Sequence, residues 1–216
     1  MCRSDAQLYH TPFMLIPLQV HIYPDTQENQ EAFHKLAPSI NIPLRTGAPG
    51  QRRLTGHRIS PKIELTGKHV ADIAWSLAFP AGEEVLSVTP RPAYEPIASL
   101  GKVLGNRTTL YKYLNPNLMA VVTGSSTAVV PKCSLYLVDG AKGTILYHVA
   151  LSAAAGCDVK VSLTENWLVY QYYDADALGV QSTKGHRIVS VELYEGSDVD
   201  EKISRYVRSS MDRGGR

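Results

Sequence analysis

The sequence predicts an all-β protein of antiparallel sheets with one short helix near its N-terminus, and two observations carry that reading. From residue 101 onward, GKVLGNRTTLYKYLNPNLMAVVT, LYLVDGAKGTILYHV and ENWLVYQYYD…IVSVELYEG follow one another. Each joins apolar, β-branched and aromatic runs across a turn of Asn, Asp, Gly or Pro, which is the pattern of consecutive hairpins. The composition agrees: 216 residues with 44% hydrophobic and 19% charged side chains make a globular chain long enough to bury a real core.

The elements follow in order. Residues 1–12 are polar and read as an unstructured start, and residues 13–38 as a strand plus a short helix. The strand is FMLIPLQVHIY. The helix opens at PDTQE, with Asp25 as N-cap and Glu28 completing a capping box, continues through Phe33 and Leu36 as its apolar contacts, and stops at Pro38 and Pro43. Residues 39–68, rich in Gly, Pro and Arg with little periodicity, read as a loop or poorly ordered excursion.

Order resumes at His69. VADIAWSLAF, with Trp75 packing a core, and Glu84 to Thr89 are strands separated by a turn at Pro80 to Glu83, and Pro90, Pro92 and Pro96 lead into the hairpins. Thr108 to Tyr113 is a strand, Asn115-Pro116-Asn117 a tight turn, and LMAVVT a strand apolar on both faces, as expected of one covered on both sides. Strands at 133–138 and 144–150 flank the loop DGAKG. Residues 158–163 place Val159, Val161 and Leu163 on one face, 167–173 form an apolar strand, and 187–194 alternate through Val189, Val191 and Leu193. Residues 69–195 therefore form the β domain, and 196–216 a charged, frayed tail.

Strands at this spacing suit a sandwich, a barrel or propeller blades. LYLVDGAKGTILYHV favours the propeller: strand, Asp, Gly-bearing turn, then a strand with an aromatic near its end is the layout of the last two strands of a quinoprotein-like blade. Tyr147 then docks between blades.

Little in the sequence carries chemistry. The net charge of +2 and scattered basic residues point to no nucleic acid. Seven histidines, at 10, 21, 34, 57, 69, 148 and 186, show no HxH or HExxH spacing, and no Walker, GxGxxG or GxSxG motif follows a strand. Catalytic, cofactor and metal sites are accordingly read as none. Glu83-Glu84 directs its carboxylates apart rather than forming a catalytic pair. Trp167, Tyr170, Tyr172 and Tyr173 read as strand core and blade packing, against the alternative of a ligand cage. Of three cysteines, Cys133 and Cys157 can pair in an oxidising compartment, since two strands lie between them; the alternative is two small buried hydrophobes. Asn106-Arg107-Thr108 is the only N-glycosylation sequon. No secretory signal opens the chain, and no apolar run reaches the roughly 18 residues that a membrane helix needs.

Residues 101–123, 135–149 and 165–196, with weaker support from QVHIYPDTQENQEAFH, resemble the C-terminal lumenal region of the largest subunit (subunit 1) of the endoplasmic reticulum membrane protein complex. LYKYLNPNL is the most specific string. The resemblance implies a fragment of a longer subunit: the last blades of a membrane-proximal propeller, on the lumenal face of the endoplasmic reticulum membrane. It implies a non-catalytic scaffold that supports insertion and folding of membrane proteins, with other subunits and client membrane proteins as partners. Membrane association would come only through a C-terminal helix of the full-length subunit. The alternatives are a stand-alone interaction module and, on the same fold, a quinoprotein-like dehydrogenase, which would need a calcium-bound quinone.

Overall fold

The computed structural model describes residues 18–49, 51–60, 69–92, 94–125, 133–152, 157–174 and 184–195. The expected unstructured start and frayed tail, with Cys2 and His10, lie outside them. The chain divides into two compact units, residues 1–40 with 58–72, and residues 41–57 with 73–216.

In the first unit β1 (Leu18–Val20) lies antiparallel on the start of β4 (His69–Leu77), with Gln19 opposite Val70. Helix α1 (Gln27–Leu36) continues into a 3-10 turn (Ala37–Ser39). Its cap is Thr26, whose hydroxyl accepts from the Asn29 N–H at 3.3 Å; Asp25, expected to be the cap, instead accepts from the Gln30 side chain. Thr at this position is nearly as good a cap as Asp, so the sequence alone left the start ambiguous by one residue. Phe33 packs edge-on against His69 with ring centroids 5.0 Å apart, whereas Leu36 is exposed rather than packed.

The expected loop over 39–68 is corrected by two strands, β2 (Asn41–Thr46) and β3 (Arg53–Ile59); residues 61–68 lie outside the described set. Up to residue 57 these strands belong to the second unit, where Thr55 Oγ1 donates to the Leu44 carbonyl and Leu54 is fully buried. Pro43 is tolerated because β2 is an edge strand, where a missing N–H breaks no ladder.

The heart of the second unit is a four-stranded antiparallel blade in the order β10-β9-β8-β5, formed by β5 (Glu84–Pro90), β8 (Leu118–Gly124), β9 (Cys133–Asp139) and β10 (Thr144–Leu151). Every residue of β8 and β9 is buried. One face of the pair, with Leu118, Ala120, Val122, Leu135 and Leu137, packs against a second antiparallel sheet, β11 (Lys160–Thr164), β12 (Trp167–Asp174) and β13 (Gly185–Glu192), through Leu163, Leu168, Tyr170 and Val191. The other face, with Met119, Val121, Tyr136 and Val138, packs against Leu54 and Val85, with Trp75, Leu77 and Phe79 at its margin. Antiparallel sheets packed face to face suit a sandwich or propeller blades, two of the alternatives the strand spacing left open.

Two aromatics bridge the blades. Tyr147 is buried as expected, its hydroxyl 3.3 Å from that of Tyr170 on β12. Trp75 lies across Gly56 and Gly143 and donates its indole N–H to the Gly140 carbonyl at 3.0 Å. A Cβ at Gly143 would sit 2.6 Å from the indole, and its φ of +73° already favours glycine. The DGAKG loop is thus both a hairpin turn and the seat of a neighbouring tryptophan.

Candidate functional site

The connection from β5 to β8, residues 91–117, carries the densest polar network among the described residues. It runs out to a two-stranded hairpin, β6 (Gly101–Val103) with β7 (Thr109–Tyr111), and returns through LYKYLNPNL into β8. Prolines at 92, 96 and 116 prevent a continuous ladder there, so the local backbone must find partners elsewhere.

Arg91 is the first anchor. Its N–H donates to the Leu118 carbonyl at 3.0 Å, its Nε to Glu95 Oε2 at 3.2 Å, and its Nη1 to the Asn115 carbonyl at 3.3 Å. The same Glu95 oxygen accepts the Glu165 N–H at 2.7 Å, reaching the β11–β12 turn. Glu165 returns the contact, accepting the Ala98 N–H at 3.3 Å on Oε1 and pairing with Lys112 Nζ at 2.5 Å through Oε2. These two partners, Lys112 first, hold the Glu165 carboxyl below its ordinary pKa. Asn115 donates through Nδ2 to Tyr113 Oη and Asp139 Oδ2, both at 3.1 Å, while its Oδ1 accepts the Asn117 N–H at 2.9 Å. Asp139 Oδ1 in turn accepts the Ala141 N–H at 2.8 Å, fixing the DGAKG loop. Finally, Tyr113 N–H donates to the Leu193 carbonyl at 3.1 Å and Glu195 N–H to the Tyr111 carbonyl at 2.8 Å. One short segment therefore ties together the end of β9, the β11–β12 turn and the chain beyond β13.

The residues singled out from sequence fall around this hub. Asn106 is exposed at the tip of the β6–β7 hairpin, its Oδ1 accepting from the Thr108 N–H at 3.1 Å and the Thr108 hydroxyl at 2.7 Å. Cys133, at the start of β9, and Cys157, just before β11, are joined as a disulfide with Cα atoms 5.4 Å apart. Gly124, the cross-strand partner of Cys133, leaves room for it: a Cβ there would sit 3.2 Å from that of Cys157. The aromatic cluster divides between two faces of β12: Tyr170 is buried and Tyr172 half-buried, while Trp167 and Tyr173 are exposed on the other side. Burial pushes the hydroxyl pKa values of Tyr147 and Tyr170 upward, so both are neutral phenols at physiological pH. Glu83 accepts from Thr123 Oγ1 at 2.8 Å while Glu84 faces Arg52 at 3.9 Å, so the two carboxylates do separate work. His34 and His69 share a cleft with Glu31, but no group of three metal-ligating side chains forms among the described residues. Sequence reasoning missed Arg91, Glu95, Lys112 and Glu165, whose spacing along the chain carries no local signal. The LYKYLNPNL string was the one pointer to the hub.

Antiparallel sheets packed face to face and joined by a polar hub define an all-β domain, and the family match makes it a β-propeller. Residues 5–214 match the family model described as endoplasmic reticulum membrane protein complex subunit 1, second β-propeller. Relatives carrying that subunit's name include one from Gallus gallus, 32% identical over 198 residues (90% of this chain, 18% of the relative). One from Schizosaccharomyces pombe is 41% identical over 154 residues (71% of this chain, 16% of the relative), and one from Xenopus laevis is 35% identical over 142 (64% and 13%). The chain belongs to the endoplasmic reticulum membrane protein complex subunit 1 family. It spans less than a fifth of the length of these relatives.

Proposed function

We propose that this chain is a non-catalytic, lumenal part of an endoplasmic reticulum membrane protein complex, a scaffold that supports insertion and folding of client membrane proteins. The family match over residues 5–214 carries the reading. The geometry suits it, because the hub and the core hold blades against each other instead of converging on an open cleft. Two features fit the lumen. The Cys133–Cys157 pair is placed to bridge in an oxidising compartment, and Asn106 is exposed on a hairpin tip, where a glycan stays solvated. The test is affinity purification of the tagged full-length protein from source-cell membranes, with and without glycosidase. Co-purification of other complex subunits, a glycosidase-sensitive mobility lost in Asn106→Gln, and reduced client membrane proteins on depletion are expected. A protein that purifies alone, with clients unchanged on its depletion, would overturn the scaffold reading.

A further inference from the structure

Resting on that reading, we propose that the outer edge of β10 is where a resident subunit of the same complex adds an extended, uncharged strand to the blade. β10 ends the sheet β10-β9-β8-β5, and among the described residues no strand pairs with its far side. An open strand edge is a row of unpaired N–H and carbonyl groups, which native sheets blunt with charge, with proline or by keeping the strand very short. Every other sheet edge among the described residues is blunted in that way. β2 carries Pro43 and Arg45, β5 Glu84 and Pro90, β11 Lys160, and β13 Arg187 and Glu192, while β1, β6 and β7 have three residues each. β10, TILYHVAL, runs for eight residues without Asp, Glu, Lys, Arg or Pro. Its single irregularity, a bulge between Ile145 and Tyr147, leaves Tyr147 to Leu151 in regular register.

The ladders show which groups are open. The Arg91 N–H donates to the Leu118 carbonyl on the β5 side of β8, and the Gly140 N–H donates to the Asn117 carbonyl between β9 and β8. With Val121 opposite Tyr136 and Thr123 opposite Ser134, alternation turns the backbone groups of Tyr136 and Ser134 toward β8. Their opposites on the other ladder, His148 and Ala150, therefore direct both N–H and carbonyl away from the blade. The His148 ring stacks on Tyr136 with centroids 4.3 Å apart, so it lies over its own sheet and leaves the edge clear. Ala150 is exposed, as is Ile145 at 43%.

Such an edge selects backbone. Its complement is an extended peptide whose own N–H and carbonyl groups continue the ladder, and the uncharged flanks Ile145, Val149 and Ala150 match apolar and β-branched cross-strand neighbours. Four strands complete a propeller blade, so a fifth comes from outside the ring. Left open, an uncharged edge of this length would recruit any strand exposed nearby. The need for constant cover points to a resident subunit and not to a client in passage.

The test places a photo-crosslinking amino acid at Ile145 in the tagged full-length protein within its native membranes. Adducts are identified by mass spectrometry before and after a chase with protein synthesis blocked. One adduct with a subunit of the complex, persisting through the chase, is expected. Ala150→Pro removes the outward N–H without touching the β9 ladder and should lower that yield by about tenfold or more, whereas Ala150→Ser keeps the N–H and should leave it unchanged. Ala150→Lys sets a charge beside the edge, should act like the proline, and decides alone if Ala150→Pro fails to accumulate. No adduct, an adduct only with lipid or a second copy of this chain, client adducts that fade during the chase, or a yield indifferent to both Ala150→Pro and Ala150→Lys would each overturn the proposal. If the complex co-purifies intact under such a result, only the added strand falls. If the complex fails to co-purify at all, the scaffold reading falls with it.

Discussion

Opening the Cys133–Cys157 bridge is expected to destabilise the chain substantially. The bridge spans 24 residues and links the first residue of β9 to the residue that leads into β11, so it staples two consecutive sheets. On the loop-closure model, releasing a loop of this size returns about 3.5 kcal/mol of conformational freedom to the unfolded chain. For a domain of this size each kcal/mol moves the melting temperature by about 2–4 °C, which predicts a fall of about 7–14 °C. Scanning calorimetry of the oxidised chain, the same chain in reductant, and the Cys133→Ala/Cys157→Ala double variant measures it. The double variant should melt at or slightly below the reduced protein, because it also removes the buried sulfur of Cys133. A Cys2→Ala background removes the third thiol and with it any shuffling. Oxidised and reduced melts that coincide within about 2 °C would refute the argument. So would alkylation of both Cys133 and Cys157 before any reductant is added.

Other outcomes follow from the hub and the core. Trp75→Ala should cost about 2–3 kcal/mol in urea unfolding, since the half-buried ring fills the space over Gly56 and Gly143; Trp75→Phe should recover part of the packing but not the bond to Gly140. Arg91→Ala takes the paired guanidinium from the Glu95 carboxylate and the Asn115 carbonyl, leaving them only the backbone N–H groups of Glu165 and Leu118, and a loss of about 3 kcal/mol is expected in the same assay. Glu165 has a folded pKa below its unfolded value, so the unfolded chain takes up the proton first as the pH falls. Its contribution is therefore full above about pH 4.5 and is lost as the pH drops through the folded pKa. Melting temperatures between pH 3 and 7 should fall more steeply for the wild type than for Glu165→Gln, and parallel curves would rule this out.

The strands from β8 to β13 were legible because their burial follows the sequence pattern directly. LMAVVT is apolar at every second residue on both faces, and both faces are covered; Val161 and Leu163 alternate as read. β2 and β3 were not legible, because NIPLRT and RLTGHRI interrupt their apolar residues with Pro, Arg, Gly and His. Their register comes from neighbours such as the Leu44 carbonyl beneath Thr55, not from a period. The helix start slipped by one residue because Asp25 and Thr26 compete for one cap. The hub was out of reach for a different reason. Arg91, Glu95, Asn115, Asp139 and Glu165 come from four separate stretches, and only the fold makes them neighbours.

The β5–β8 pairing has a consequence during synthesis. β5 leaves the ribosome first, but β8, its one partner in the blade among the described residues, follows after the whole of residues 91–117. At ordinary elongation speeds that interval is roughly one to five seconds, long compared with the microseconds a hairpin needs to form. Throughout it, the edge of β5 that will receive β8 is open to any passing chain. A nascent protein built this way depends on its surroundings to leave that edge alone until β8 arrives.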